Sequence, residues 1–145
     1  MTQVEFHTGI ADRVHFACRL LRKAYRQQAA VLVTADAATL AGLDRELWTF
    51  AAHEFVPHCR VDAATAGAAV ARHSPVWLAE KCPPAPHPKI VVNLGADMPA
   101  SPGDFSRVIE VLAADTDAAQ AGRARWRAYA ALGLDVRHHP AGAAS

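Results

Sequence analysis

Two strongly apolar runs constrain the fold of this chain more than any other feature. They occupy residues 30–34 and 90–94, and most of their side chains are Val, Ile or Leu. A strand with one face in water alternates apolar and polar residues, whereas a strand covered on both faces does not. Both runs therefore predict interior strands of a mostly parallel sheet.

The segments around these runs predict an alternation of strands and helices. Further strands are predicted at residues 4–8, 76–79 and 108–112, and helices at 12–27, 37–50 and about 116–132. Interleaved strands and helices are typical of an α/β domain. We expect one domain over residues 1–136, followed by a flexible tail over residues 137–145.

The remaining segments carry weaker patterns. Residues 54–59 include Pro57 and no regular alternation, so the sequence predicts a loop there. Residues 63–73 are rich in alanine and leave open a loop or a short helix. Residues 82–88 contain four prolines, which excludes a helix or a central strand.

Composition excludes several classes of protein. The chain has 145 residues, of which 52% are hydrophobic and 20% charged, so it can bury one real core and is not disordered. A net charge of +1 argues against strong non-specific DNA binding. Three cysteines without CxxC spacing favour a reducing compartment, and we expect a cytoplasmic protein with no signal peptide, transmembrane helix or membrane partner.

Motifs for catalysis or nucleotide binding are absent from the sequence. Neither GxGxxG nor GxxxxGK[ST] follows a predicted strand, and no GxSxG surrounds the His73–Ser74 pair. We therefore expect a binding module with no cofactor. The alternative is a small cytosolic α/β enzyme that acts on a nucleotide or an acidic metabolite, with His53 or His58 as the acid–base group.

The histidines and cysteines are also candidate ligands for a metal ion. His53, His58 and Cys59 lie close together in the sequence, but their spacing matches no zinc template with four ligands. Cys82 and His87 would have to approach from a distant segment. We expect no bound metal.

One predicted helix carries a basic and aromatic face. Asp115 is a candidate N-cap and Gly133 a candidate C-terminal stop. Helical spacing places Arg123, Trp126 and Arg127 side by side. Guanidinium groups bind carboxylates in bidentate fashion and the indole offers an apolar wall, so this face suits an acidic peptide with an apolar end.

A second face of this helix, with Arg125, Tyr129 and Leu132, offers a ring and an aliphatic chain for burial. The alternative for the whole segment is a solvated helix whose Trp126 and Tyr129 only pack on the domain. The residues alone leave both open.

Aromatic residues also mark the end of the second predicted helix and the segment after it. Trp48 and Phe55 occupy positions where aromatics commonly anchor protein interfaces. The alternative is that Trp48 completes the buried stripe of its helix and Phe55 fills the core.

Three blocks of residues together resemble the chi subunits of bacterial DNA polymerase III holoenzyme. They are Leu43-Asp44-x-x-Leu47-Trp48, Phe55-Val56-Pro57-His58 and Arg123-x-Arg125-Trp126-Arg127-Ala128-Tyr129. The first two blocks at their mutual spacing are the more specific, and the resemblance covers nearly the whole chain.

The resemblance implies a fold and a function. The fold is a single three-layer α/β/α domain, Rossmann-like, with a mostly parallel central sheet. The function is that of a non-catalytic accessory subunit of the clamp-loader complex, which contacts DNA only indirectly. It binds the acidic C-terminal tail of single-stranded-DNA-binding protein, a tail that ends in Pro-Phe.

The resemblance also implies two sets of site residues. By position, Leu112, Arg123, Trp126 and Arg127 match the residues that bind the tail, with Trp in place of Tyr and Arg in place of the second basic residue, Lys. A second surface of the family binds a psi subunit or an iron–sulfur helicase. Its residues are matched here by the four positions Trp48, Phe55, Val56 and Pro57.

Overall fold

The protein is described by a computed structural model that covers residues 2–49, 55–62, 64–84, 86–95 and 97–141. Its seven strands are β1 (Gln3–Ile10), β2 (Val31–Thr34), β3 (His58–Arg60), β4 (Val76–Ala79), β5 (Ile90–Asn93), β6 (Arg107–Ala113) and β7 (Asp135–Pro140). Its α-helices are α1 (Arg13–Arg26), α2 (Ala37–Thr49), α3 (Ala69–His73) and α4 (Thr116–Ala131). A short 3₁₀ helix, Pro102–Asp104, precedes β6.

The strands form one sheet in the order β3-β4-β2-β5-β6-β1-β7. Every pairing between them is parallel. The two apolar runs of the sequence form β2 and β5, which are neighbours inside the sheet. All four residues of β2 are buried, as expected of a strand covered on both faces.

Helices cover both faces of the sheet, which confirms the three-layer α/β/α fold. On one face, Leu21 of α1 and Leu43 of α2 pack on residues such as Val33. On the other face, Tyr129 of α4 packs with residues such as Phe6. No helix in the described part of the chain has the length and apolar character needed to cross a membrane.

The predicted signals at the two ends of α4 are confirmed, and α1 begins at a cap of the same kind. Asp12 caps α1 by accepting a hydrogen bond from the His15 N–H at 3.0 Å, and Asp115 caps α4 by accepting one from the Ala118 N–H at 2.7 Å. Gly133 has a φ of +79°, the left-handed conformation that ends a helix at glycine with least strain.

Two expectations at the edges of the sheet are wrong. His58 and Cys59 belong to the short strand β3, where a loop was expected for residues 54–59; Glu54 lies outside the described residues. Residues 137–140 are not a loose tail, because they form most of β7 and pair with β1. Edge strands expose one side to water and tolerate polar residues, so their sequences resemble loops.

The alanine-rich segment contains a short helix, α3, at its end, which settles the choice left open there. Residues of the predicted segments that lie outside the described ranges are Phe50 of the second helix, Ala63 and the last four residues, 142–145.

Candidate functional site

A groove lies between α4 and the carboxyl ends of the neighbouring strands β1 and β6. Its cavity has a volume of about 720 Å³. Its apolar lining includes Phe6 of β1, Leu112 of β6 and Trp126 of α4, and Arg123 and Arg127 contribute the positive charges. The cavity is therefore apolar inside and cationic along one wall.

Leu112, Arg123, Trp126 and Arg127, the four residues that the resemblance implied for tail binding, all line this one cavity. Arg123 and Arg127 are exposed and Trp126 is half-buried. Leu112 is buried, and its side chain forms part of the cavity wall.

The indole of Trp126 packs against two other rings on the sheet. Its centroid lies 5.1 Å from the Phe6 ring at an interplanar angle of 47°. The imidazole of His138, which lies beside Phe6 in the β1–β7 register, is 6.1 Å from the indole and nearly perpendicular to it. His138 in turn is hydrogen-bonded to the Thr8 hydroxyl at 2.7 Å. The indole is thus fixed in place with part of its surface facing the cavity.

Gly122 allows α4 to approach β6 closely. A Cβ atom at this position would overlap the Cδ1 atom of Leu112. Glycine in a helix interior destabilises the helix relative to alanine, so its presence here is explained by this packing. A glycine inside a helical pattern was the available signal, and sequence analysis did not use it.

A buried carboxylate connects α4 to the sheet. Glu110 of β6 accepts hydrogen bonds from Arg125 Nε at 3.0 Å, Tyr129 Oη at 2.7 Å and Asn93 Nδ2 at 3.2 Å. Burial raises the pKa of Glu110, and the Arg125 charge together with these hydrogen bonds opposes that rise. A single acidic residue inside an apolar strand was the sequence signal for this network.

The second face of α4, which was expected to offer a ring and an aliphatic chain for burial, differs in part from that expectation. Tyr129 is fully buried as expected, and Arg125 points to Glu110 and not into the groove. Leu132 is 58% exposed, so the expectation that it offers an aliphatic chain for burial is wrong. It lies at the C-cap of α4.

The aromatic residues after the second helix form an exposed pair. Trp48 is 65% exposed and Phe55 is 44% exposed, so neither completes the core. Their rings stack with centroids 4.7 Å apart. Val56 is only 2% exposed and packs inside the core, so it cannot itself contact a partner, whereas Pro57 is half-buried.

His58 packs beside this aromatic pair. Its Nε2 atom lies 2.6 Å from Asp44 Oδ1, and its Nδ1 atom lies 2.8 Å from the Val56 carbonyl oxygen. Its ring also contacts Trp48 edge-on, with centroids 5.8 Å apart. Both ring nitrogens of His58 therefore already face acceptors inside the domain.

The other chemical candidates from the sequence do not come together. The Ser74 hydroxyl donates to the Val76 carbonyl oxygen. Among the described contacts, no hydrogen bond joins His73 to Ser74. His58 and Cys59 join no group of three metal-ligating side chains within the described residues. His53 lies outside the described residues.

Comparison with known proteins extends over the entire α/β domain. The sequence matches the family model described as DNA polymerase III chi subunit, HolC, over residues 1–137. It is also 34% identical over 144 residues to the DNA polymerase III subunit chi of Pseudomonas aeruginosa, in an alignment that covers 96% of each chain. The matched region includes both the groove and the exposed aromatic pair.

Proposed function

This chain belongs to the DNA polymerase III chi-subunit family, and from that premise we propose that it is a non-catalytic accessory subunit whose groove binds the acidic C-terminal tail of single-stranded-DNA-binding protein. One observation carries the proposal: Arg123, Trp126 and Arg127 meet Leu112 around a single apolar cavity. That arrangement matches a peptide with acidic side chains and an aromatic terminal residue.

The terminal Phe of the tail would enter the cavity between Leu112, Phe6 and Trp126. Burial of one Phe side chain contributes roughly 1.5–3 kcal/mol. Its α-carboxylate and the preceding Asp side chains would meet Arg123 and Arg127. Each charge-assisted hydrogen bond contributes about 1.5–3 kcal/mol.

The net affinity for one tail is modest because a flexible tail loses conformational entropy when it binds. We expect a dissociation constant in the micromolar range, which corresponds to roughly 8 kcal/mol. A partner that carries several tails would recover strength through multivalency. Both arginines are exposed, so added salt should weaken the complex.

The acidic residue at the end of the groove orients the peptide. Asp115 also lines the cavity, and its carboxylate caps α4 through the Ala118 N–H. Its negative charge repels an acidic tail. The tail's Asp residues would therefore run along the Arg123 and Arg127 side of the cavity.

Calorimetric titration with a synthetic tail peptide tests the proposal. Arg123→Ala and Arg127→Ala should each weaken binding about tenfold, the equivalent of about 1.4 kcal/mol. Arg19→Ala, which changes an exposed arginine of α1 on the other face of the sheet, is the matched control and should bind as the wild type does. Unchanged affinity in both groove variants rejects the site, and a peptide without its last Phe should bind far more weakly.

We also propose that the Trp48–Phe55 pair contacts the subunit's second partner, a psi-type subunit or an iron–sulfur helicase, and so links the chain to the clamp-loader assembly. The support is that two large stacked aromatic rings, Trp48 at the end of α2 and Phe55 before β3, remain exposed. Such residues are enriched at interface hot spots. Val56 and Pro57 would act indirectly, by setting the position of the loop.

Co-purification tests this second contact. Trp48→Ala should abolish recovery of either partner with the tagged chain but leave tail-peptide binding unchanged. Recovery of both partners at wild-type yield would show that this surface is not the interface. The two proposed binding surfaces are therefore tested independently of each other.

A further inference from the structure

We propose that Glu5, His7 and His139 bind a zinc ion on the face of the sheet opposite the groove. Strands β1 and β7 are parallel neighbours, and His7 lies directly beside His139 in their register. Side chains alternate along a strand, so Glu5 and His7 share one face while Phe6 points into the groove side. The three side chains therefore converge on one spot of the surface.

The two distances from Glu5 to the imidazoles are longer than hydrogen bonds and slightly longer than the spacing of ligands around one ion. Glu5 Oε1 lies 3.6 Å from His7 Nε2 and 3.9 Å from His139 Nε2. All three atoms lie within 4.8 Å of one another. Hydrogen bonds of this kind are about 2.7–3.2 Å long. Neighbouring ligands around tetrahedral zinc, with bonds of about 2.0–2.1 Å, are roughly 3.3 Å apart.

Small side-chain rotations would complete the site. The imidazole rings of His7 and His139 are stacked, with centroids 4.9 Å apart and planes 16° from parallel. An ion in the plane of both rings requires one ring to tilt. The His139 side chain is exposed and has room to tilt, whereas His7 is held against the Phe16 ring at 5.2 Å.

Arg107 holds the carboxylate in the orientation that the site needs. Its Nε and Nη2 atoms donate to Glu5 Oε2 at 2.9 and 2.8 Å, which leaves Oε1 directed at the two histidines. Outer groups that bond a metal-ligating side chain commonly fix its orientation in this way. The positive charge of Arg107 weakens the attraction of this carboxylate for a cation.

The ligand set selects zinc over the commoner divalent ions. Two imidazoles and one carboxylate form a nitrogen-rich set, whereas magnesium and calcium prefer oxygen ligands. Three protein ligands leave the fourth zinc position for water. Such an ion would cross-link the edge strand β7 to β1, and β7 also carries His138 against Trp126. Zinc would thus stabilise β7, which contributes to one wall of the groove, from the opposite face of the sheet.

The test uses the full chain, stripped with a chelator and carrying Cys59→Ser and Cys82→Ser so that no accessible thiol competes for zinc. Calorimetry with zinc chloride should show one ion per chain and a rise in melting temperature. His139→Ala and Glu5→Gln should each weaken binding by at least about tenfold, because changes even in outer-shell groups weaken metal binding about 10–100-fold.

His73→Ala is the matched control, because this exposed histidine belongs to α3 and not to β1 or β7, and its zinc affinity should equal that of the parent. Circular dichroism of the metal-free variants separates loss of a ligand from loss of the fold. Absence of zinc binding by the parent overturns the proposal. Equal affinity in parent, His139→Ala and Glu5→Gln also overturns it.

Discussion

The hydroxyl of Tyr129 donates a hydrogen bond to the carboxylate of Glu110 across 2.7 Å in the interior of the domain. Arg125, one helical turn earlier, donates to the other oxygen of the same carboxylate. These two contacts join α4 to β6 and set the rotation of the helix about its axis. Trp126, which is adjacent to Arg125, is thereby turned toward the groove.

Removing the buried hydroxyl tests how strongly this contact holds α4. We expect Tyr129→Phe to lower the free energy of unfolding by about 1–3 kcal/mol, because Glu110 loses one of its donors while it stays buried. Urea denaturation measures the change. Tyr25→Phe, at an exposed tyrosine of α1, should change stability by less than about 0.5 kcal/mol. An equal loss in both variants would contradict the role given to the Glu110 contact.

The raised pKa of Glu110 predicts a pH dependence with a definite sign. Burial, the largest influence, places this pKa above its ordinary value of 4.5. The folded state therefore binds the proton more tightly than the unfolded state does. The stability that Glu110 contributes is fully present below pH 4.5 and is lost as the pH rises through the folded-state pKa.

Glu110→Gln removes this titration. The free energy of unfolding of the variant, relative to that of the wild type, should therefore rise as the pH is raised from about 4 to about 8. Urea denaturation at several pH values gives the difference. If the difference stays constant over this range, the carboxyl group does not titrate as proposed.

Gly122→Ala should impair the groove without unfolding the domain. Alanine favours the helix by up to about 1 kcal/mol, but its Cβ would displace the Leu112 side chain toward the cavity. We expect the affinity for the tail peptide to fall by about tenfold, or about 1.4 kcal/mol. Gly42→Ala in α2, where a Cβ meets no atom within 4 Å, should leave peptide binding unchanged. Wild-type binding by Gly122→Ala would exclude Leu112 as a wall of the site.

Two tryptophans should respond differently to truncation. Trp48→Ala should lower the free energy of unfolding by less than about 1.5 kcal/mol, because its main contact is the exposed stack with Phe55. Trp77→Ala should lower it by about 3–5 kcal/mol, because that side chain is buried and its Nε1–H donates to the Ala71 carbonyl oxygen at 2.6 Å. Thermal and urea denaturation of the pair measure both effects. A large loss for Trp48→Ala would mean that Trp48 serves the fold and not an interface.

Much of the fold could be predicted because its signals are local. Residues 30–34 and 90–94 are apolar apart from Thr34 and Asn93, since both faces of β2 and β5 are covered. Asp115 and Gly133 mark the ends of α4 because a cap satisfies backbone groups only a few residues away. The edge strands β3 and β7 were missed because their pairing partners lie in other segments and their exposed side chains are polar.

Part of the candidate site could be predicted because it too depends on local spacing. Arg123, Trp126 and Arg127 share a helical face, so their proximity follows from spacing alone. That Leu112 faces them depends on how α4 crosses β6, and Gly122 and Glu110 control that crossing. Val56 was implied as an interface residue together with its neighbours, but its side chain packs in the core.

The order of apolar, polar and capping residues by itself determined which segments become strands and helices, and it determined the cationic face of α4. Only the tertiary structure decided that Tyr129 reaches Glu110 and that His139, the last histidine of the chain, lies beside Glu5 and His7. The physical reason is that such contacts join residues far apart in the sequence. Their proximity is set by the register of neighbouring strands and the close packing of helix on sheet, and no local pattern records either one.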